Sequence, residues 1–502
     1  MSEAPPPPPE TAESETTPAA TKPDTAETVA PASEQPRESG EKPPTASPKA
    51  NETETAGLRP PNFADGFHFG SYGRVIAGGD ATGRPGRDAD IVGRGSRLDE
   101  SNYAELELRR EDYWEQTGAR TRIVTTVAFA HPVFHYDGQF AAKIAVRNLY
   151  LEERDLGVKG LSIWAGARMY RGDDIYVLDW WPLDNLNTLG GGLGYRFKTN
   201  TTLKLHAGLN QPTNPFYRQS VLRPPVHNQL GETPVDLLNR QKLISSARLS
   251  QLLHLGETGG IKTVLYGEFH WTGAGQRELD TEVYEDLPAD NGFVIGGEVS
   301  LFTGKRSTHL NLYGRYAHGL AAYGELNAPR QFAADLTTSG AREWLVALGG
   351  NYEVGPFGLL LGSYVRSFRN ASPGLDFDDL LEGVVVARPQ LWLGKRKIGG
   401  FAIEGSYQAQ QRGVLVMANE TGSQLRPLQA GMGRIGVIPF LTPGGMGSYQ
   451  RPHLRLIYTV TIRDQATRSL YSEDDVFARR PVDHFIGVGA EWWFGSTSYF
   501  RD

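Results

Sequence analysis

From Phe63 onward the dominant period of apolar and polar residues is two, the period of a β-strand whose two faces meet different surroundings. Leu454, Leu456, Tyr458, Val460 and Ile462 stand against His453, Arg455, Thr459, Thr461 and Arg463, with Ile457 the single exception. The pattern recurs in Leu203, Leu205, Ala207 and Leu209 against Thr202, Lys204, His206 and Asn210. It returns in Leu310, Leu312, Gly314 and Tyr316 against His309, Asn311, Tyr313 and Arg315. Gly-, Asn-, Asp- and Pro-rich stretches between such segments, among them 210–215, 273–275 and 442–447, read as turns and longer loops. No long amphipathic helix interrupts the series.

Alternation alone also fits a soluble β-sandwich. No apolar run approaches the ~20 residues that a spanning helix needs, but a barrel strand turns only alternate residues toward lipid, so a hydrophilic average is compatible with a membrane. Two features favour the barrel. Sharing the 440 residues of 63–502 among 16 to 18 strands leaves roughly 24 to 28 residues per strand and connection, which suits spans of ~10 residues. A sandwich of that length normally divides into several domains. In the last strand, Ile486, Val488, Ala490, Trp492 and Phe494 share one face, opposite Gly487, Gly489, Glu491 and Trp493. An outward Trp and Phe at a strand end are placed for an interfacial aromatic girdle. The expected fold is an all-β, transmembrane antiparallel β-barrel over 63–502.

Residues 1–62 differ in kind. They hold 14 of the 32 prolines and no aromatic residue, a composition that buries too little surface to offset chain entropy. A disordered, partly polyproline-like tail in the periplasm is expected. Met1-Ser2-Glu3 runs almost straight into Pro5 to Pro9 without a charged or apolar leader, so a signal peptide is expected to have been removed or to lie upstream. The tail carries 11 acidic and 5 basic residues, and the remaining 440 carry 47 acidic against 46 basic. That balance gives no basic surface for nucleic acid. Zero cysteines exclude disulfides, thiolate metal sites and Cys nucleophiles. Neither a Gly-x-Ser-x-Gly elbow nor a His-Glu-x-x-His motif is present, so a channel without cofactor or metal is expected rather than an outer-membrane hydrolase.

Five short motifs carry a more specific reading: Phe67 to Arg74 (FHFGSYGR), Tyr103 to Leu108 (YAELEL), Ile163 to Arg168 (IWAGAR), Arg451 to Arg455 (RPHLR) and Gly489 to Trp493 (GAEWW). In order and approximate spacing they resemble the maltoporin family of carbohydrate porins, from about residue 67 to 494. The middle third is weakly matched and the tail lies outside. The resemblance implies 18 strands, a homotrimer, a third loop folded inward, and passive, binding-assisted diffusion of maltose, maltodextrins or other oligosaccharides across the outer membrane. A general diffusion porin without a sugar site, and a barrel anchored to the cell wall through its tail, are the alternatives.

Holding a sugar weakly and repeatedly needs rings for its apolar faces and polar groups for its hydroxyls. Tyr72 with Arg74, and Tyr103 with Glu105, fall on the polar faces of their strands and look like the family's aromatic track beside its polar partners. Trp493 resembles a track ring and shares the face of Glu491. Tyr449 stands where the family carries a tryptophan, a smaller ring in its place. The segment from Arg171 to Trp181 (RGDDIYVLDWW) resembles the constricting third loop, with Asp174, Tyr176, Asp179 and Trp181 at matching positions. Arg171 is displaced by one, Gly172 taking the place of the family's arginine. Arg97 and Arg147 resemble two further constriction arginines. Each ring also has a reading as a girdle or packing residue, and Asp173, Asp174 and Asp179 have one as a Ca²⁺ or acid/base cluster.

Overall fold

A computed structural model describes residues 65–80, 82, 89–99, 102–130, 143–225, 230–303, 308–329, 332–372, 379–417 and 425–496. The tail expected over 1–62 lies outside the described residues. Eighteen strands form one closed antiparallel barrel between Gly66 and Phe494. The first strand, Gly66–Asp80, pairs with the second, Tyr103–Trp114, on one edge and with the last, Val482–Phe494, on the other. Closure leaves no edge strand with unsatisfied backbone groups, which is what the hydrocarbon interior demands.

Connections such as 115–118, 155–160 and 256–258 are short and lie at one end of the barrel, while long ones lie at the other. Two of the long connections contain hairpins outside the barrel sheet, Arg218–Arg223 with Thr233–Asn239 and Gly275–Asp280 with Val283–Leu287. Sequence reading marked only the loop stretches that lead into them, 210–215 and 273–275, because strands of five to seven residues show too few alternations to register.

The two faces follow the alternation. Leu454, Leu456, Tyr458 and Ile462 are exposed on the outside of the strand His453–Arg463, whereas Thr459, Thr461 and Arg463 are buried within. Outward aromatics gather at both ends, Phe67, Trp114, Phe357 and Phe494 at the short-turn end and Trp271, Phe293 and Trp344 at the long-loop end. Two such bands mark the membrane interfaces. Gly73 belongs to this outer face: a Cβ there would collide with the Trp492 indole, whose Nε1 donates to Ser71 at 3.1 Å.

The inner face breaks the polar rule where loops lie against it. Leu345, Ala347, Leu360, Val384 and Val386 point inward yet are buried with residues of the third loop. Ile457, the odd residue of its strand, packs with Leu98 of the first loop. These strands therefore have apolar neighbours on both sides, lipid outside and loop inside.

Candidate functional site

Closing the barrel sets distant segments side by side. Tyr72 is the register partner of both Glu105 and Trp493, and Arg74 of both Tyr103 and Glu491. Cross-strand partners share a face, so these six side chains collect on one patch of inner wall. The Tyr72 and Tyr103 ring centroids are 5.9 Å apart. Trp493 and Tyr449 each meet Tyr176 edge-on, at 6.1 and 5.6 Å, and Tyr449 stacks on His309 at 6.0 Å. The row runs from Tyr103, at the long-loop end of its strand, to Tyr449 and His309 near the short turns.

The rings are not equally open. Tyr72 is 4 % and Tyr176 8 % exposed, while Tyr103, Tyr449 and Trp493 are partly exposed. The Arg451 guanidinium lies 3.9 Å over the Trp493 ring. Tyr72 and Tyr176 thus back the row, and the other three present surface to the lumen.

The third loop, 172–184, crosses to this wall. The Ile175 N–H donates to Trp180 O at 2.7 Å around a 3-10 turn, Tyr176–Leu178. Asp179 ends that turn in the left-handed region, φ 46°, a conformation Asp tolerates better than most residues. Ile175, Val177, Leu178 and Leu183 are buried against the opposite wall, each contributing about 1.5–3 kcal/mol relative to exposure. Gly349 and Gly362 make the approach possible: a Cβ at Gly349 would sit 2.9 Å from Ile175 Cγ1, and one at Gly362 would collide with Val177. At the loop's two ends Asp173 pairs with Lys262, and Asp184 with Arg248 at 3.3 Å.

A charged network joins loop to ring row. Arg74 Nη1 lies 2.8 Å from Asp179 Oδ2. Arg97 Nη2 donates to the Tyr72 hydroxyl at 2.8 Å and its Nη1 to Tyr176 O at 3.0 Å. Glu491 receives Arg451 at 2.8 Å, Arg455 at 2.7 Å and the Tyr176 hydroxyl at 2.7 Å. Tyr103 hydrogen-bonds to Glu105 and Arg147, and Arg147 pairs with Glu105 at 3.3 Å. Burial raises the Asp179 pKa, but Arg97 and Arg74 outweigh it and hold it at about 2. Five arginines here face three carboxylates, so the patch keeps a local positive excess beside its hydrogen-bonding groups.

Of the residues expected from sequence, Tyr72, Arg74, Arg97, Tyr103, Glu105, Arg147, Tyr176, Asp179, Tyr449 and Trp493 come together. Asp174 lies within electrostatic range of Tyr313 on another wall. Trp181 faces a second cavity, its ring 4.0 Å from the Arg171 guanidinium, whose Nε donates to Asn185 at 2.6 Å. Asp173 and Asp179 bond to different walls, so the three carboxylates do not converge as a cation or acid/base cluster would require. Arg147 reaches the site through a β-bulge: Thr126 pairs with Asn148 and Val127 with Val146, skipping Arg147. The extra residue turns inward beside Asn148, where strict alternation would aim it at lipid.

Sequence reasoning missed Arg451 and His309 as members of the row and, apart from Arg97, the inward course of the first loop. Residues 89–99 also fold into the lumen. Gln408 Oε1 accepts from the Ile91 N–H at 2.9 Å, Glu382 Oε2 from the Gly93 N–H at 2.9 Å, and Tyr364 Oη from the Arg94 N–H at 3.1 Å. The available signal was Ile91, Val92 and Leu98 in an otherwise Gly-, Arg- and Asp-rich stretch, apolar residues with no strand to serve.

A family model described as LamB porin matches residues 67–494. Among solved structures, OmpT of Vibrio cholerae, in a trimer form, is similar at 10% identity and TM-score 0.37, covering 86% of this chain and 100% of that one. OccAB1 of Acinetobacter baumannii is similar at 10% identity and TM-score 0.40, covering 88% and 99%, and OccAB2 of the same organism at 11% and 0.41, covering 85% and 98%. No curated protein matches the sequence. The family match spans the first strand, both inward loops and the closing strand, and by it the chain belongs to the LamB porin family of outer-membrane diffusion channels.

Proposed function

We propose that this channel passes sugars by weak, repeated binding along the ring row. The observation that carries the reading is the descending series Tyr103, Trp493, Tyr449 and His309 beside paired arginines and carboxylates. Tyr103, Trp493 and Tyr449 each offer part of a flat apolar ring to a pyranose at low conformational cost, buried His309 backs Tyr449, and the charged groups exchange hydrogen bonds with the sugar hydroxyls as it moves. Maltose, maltodextrins or other linear oligosaccharides fit a row of this kind. In the same reading the short turns and the 1–62 tail face the periplasm, and three copies associate in the membrane.

Liposome swelling tests the function. Proteoliposomes should admit linear oligosaccharides faster than their size alone allows. Rates that fall only with molecular size would assign a general porin, and exclusion of every solute would assign a plugged anchor.

A further inference from the structure

Above the third loop, at the long-loop end, the lumen holds a cavity of about 470 Å³ on the wall opposite the ring row, open to solvent and lined by Arg94, Trp181, Asn185, Asn187, Glu325 and Leu326 among others. Its volume falls within the range of small-ligand sites, ~300–1,000 Å³. Most charged groups around it are engaged. Arg315 and Arg366 both reach Glu343 at 2.5 Å, and Arg366 reaches Glu382 at 3.2 Å. Glu325 accepts from the Asn210 amide at 3.0 Å and the Asn187 amide at 3.3 Å, and Glu268 meets His270 at 2.8 Å.

Arg94 differs. Its backbone is fixed by the bond to the Tyr364 hydroxyl, its side chain is exposed, and among the described residues its guanidinium has no carboxylate within 4.0 Å. Trp181 lines the same cavity with one ring face under Arg171. A guanidinium without a side-chain partner among the described residues, an indole and the neighbouring amides make a recognition set for one pyranose unit, a ring to stack on and donors for its hydroxyls.

We propose that this cavity is a capture subsite for a single pyranose at the long-loop mouth, separate from the ring row and loading it. The proposal rests on the sugar-channel reading above. A subsite on the path of approach from one side speeds arrival and departure on that side equally, so the affinity of the ring row is unchanged while the association rate depends on the side of addition.

The test uses the full-length channel in a planar bilayer, with maltotriose added to one side at a time. Arg94→Ala removes the donors, and Leu326→Trp fills the cavity from a side chain that is 59% exposed, so neither change disturbs packing. In both variants the association rate from the long-loop side should fall roughly two- to tenfold, the worth of one or two hydrogen bonds or a ring contact. Association from the short-turn side and the equilibrium constant for block should stay as in the native channel. Native-like rates from both sides in both variants would overturn the capture subsite while leaving the sugar channel standing. Absence of block in the native channel would instead remove the sugar-channel reading itself.

Discussion

At the scale of single residues, the rings that reach the lumen should matter more than those that back them. Tyr103→Ala and Trp493→Ala should each weaken sugar block roughly three- to tenfold, the worth of one ring contact, with ion conductance in plain salt unchanged or raised. Tyr72→Phe removes the hydroxyl that Arg97 and Arg74 grip but keeps a buried ring, so its effect should fall on conductance noise rather than on sugar affinity. Asp179 gives a pH dependence. Its pKa is lowered from 3.8 to about 2 by Arg97 and Arg74 acting against burial, so its contribution to docking the third loop is full above about pH 4 and is lost as pH falls toward 2. Single-channel conductance should be steady from pH 8 to pH 4 and change below that, and Asp179→Asn should show the altered conductance at every pH. Parity in the sequence located Tyr72, Arg74, Tyr103, Glu105 and Trp493 on the inner face. It could not place Arg147, whose direction depends on a bulge in the register with its neighbour strand, a property of the pair and not of either segment alone.

At the scale of elements, the constriction is an apolar contact as much as an ionic one. Gly362→Val would put a branched side chain where Val177, Ile175 and Leu178 now lie. The third loop should be displaced, conductance should rise and become noisy, and sugar block should weaken, while the barrel keeps its resistance to thermal unfolding because its ladder is untouched. The inward direction of this loop was legible only by resemblance. A physical sign was nonetheless present: Trp344 to Gly350 (WLVALGG), Phe357 to Gly362 (FGLLLG) and Gly383 to Ala387 (GVVVA) are continuous apolar runs that break the dominant alternation. Such a run means both faces are covered, and in a barrel the inner cover must be a loop. Ile457 carried the same information for the first loop, since a lone apolar residue on a polar face needs a partner inside the lumen.

At the scale of the whole molecule, the barrel's two solvents separate mutations that look alike on paper. Leu456→Arg, on the lipid face of its strand, should lower barrel stability by about 2–4 kcal/mol if it sits near the bilayer midplane, measured by denaturant unfolding in lipid vesicles. Thr459→Arg, on the inner face of the same strand, should instead alter conductance. Removing residues 1–60 should leave conductance and sugar block unchanged, because nothing in their composition supports packing into a pore. Strand number and closure were not derivable from alternation, since the faces repeat identically whatever the number of strands; chain length suited roughly 16 to 18 without choosing, and 18 came from the resemblance. The claim that the ring row binds sugar is tested most directly by single-channel current recorded while linear maltooligosaccharides of increasing length are titrated against the native channel and Trp493→Ala. Concentration-dependent block that tightens with chain length in the native channel and weakens in Trp493→Ala is the predicted result. A native current indifferent to every sugar, or block of equal strength in both channels, would contradict it.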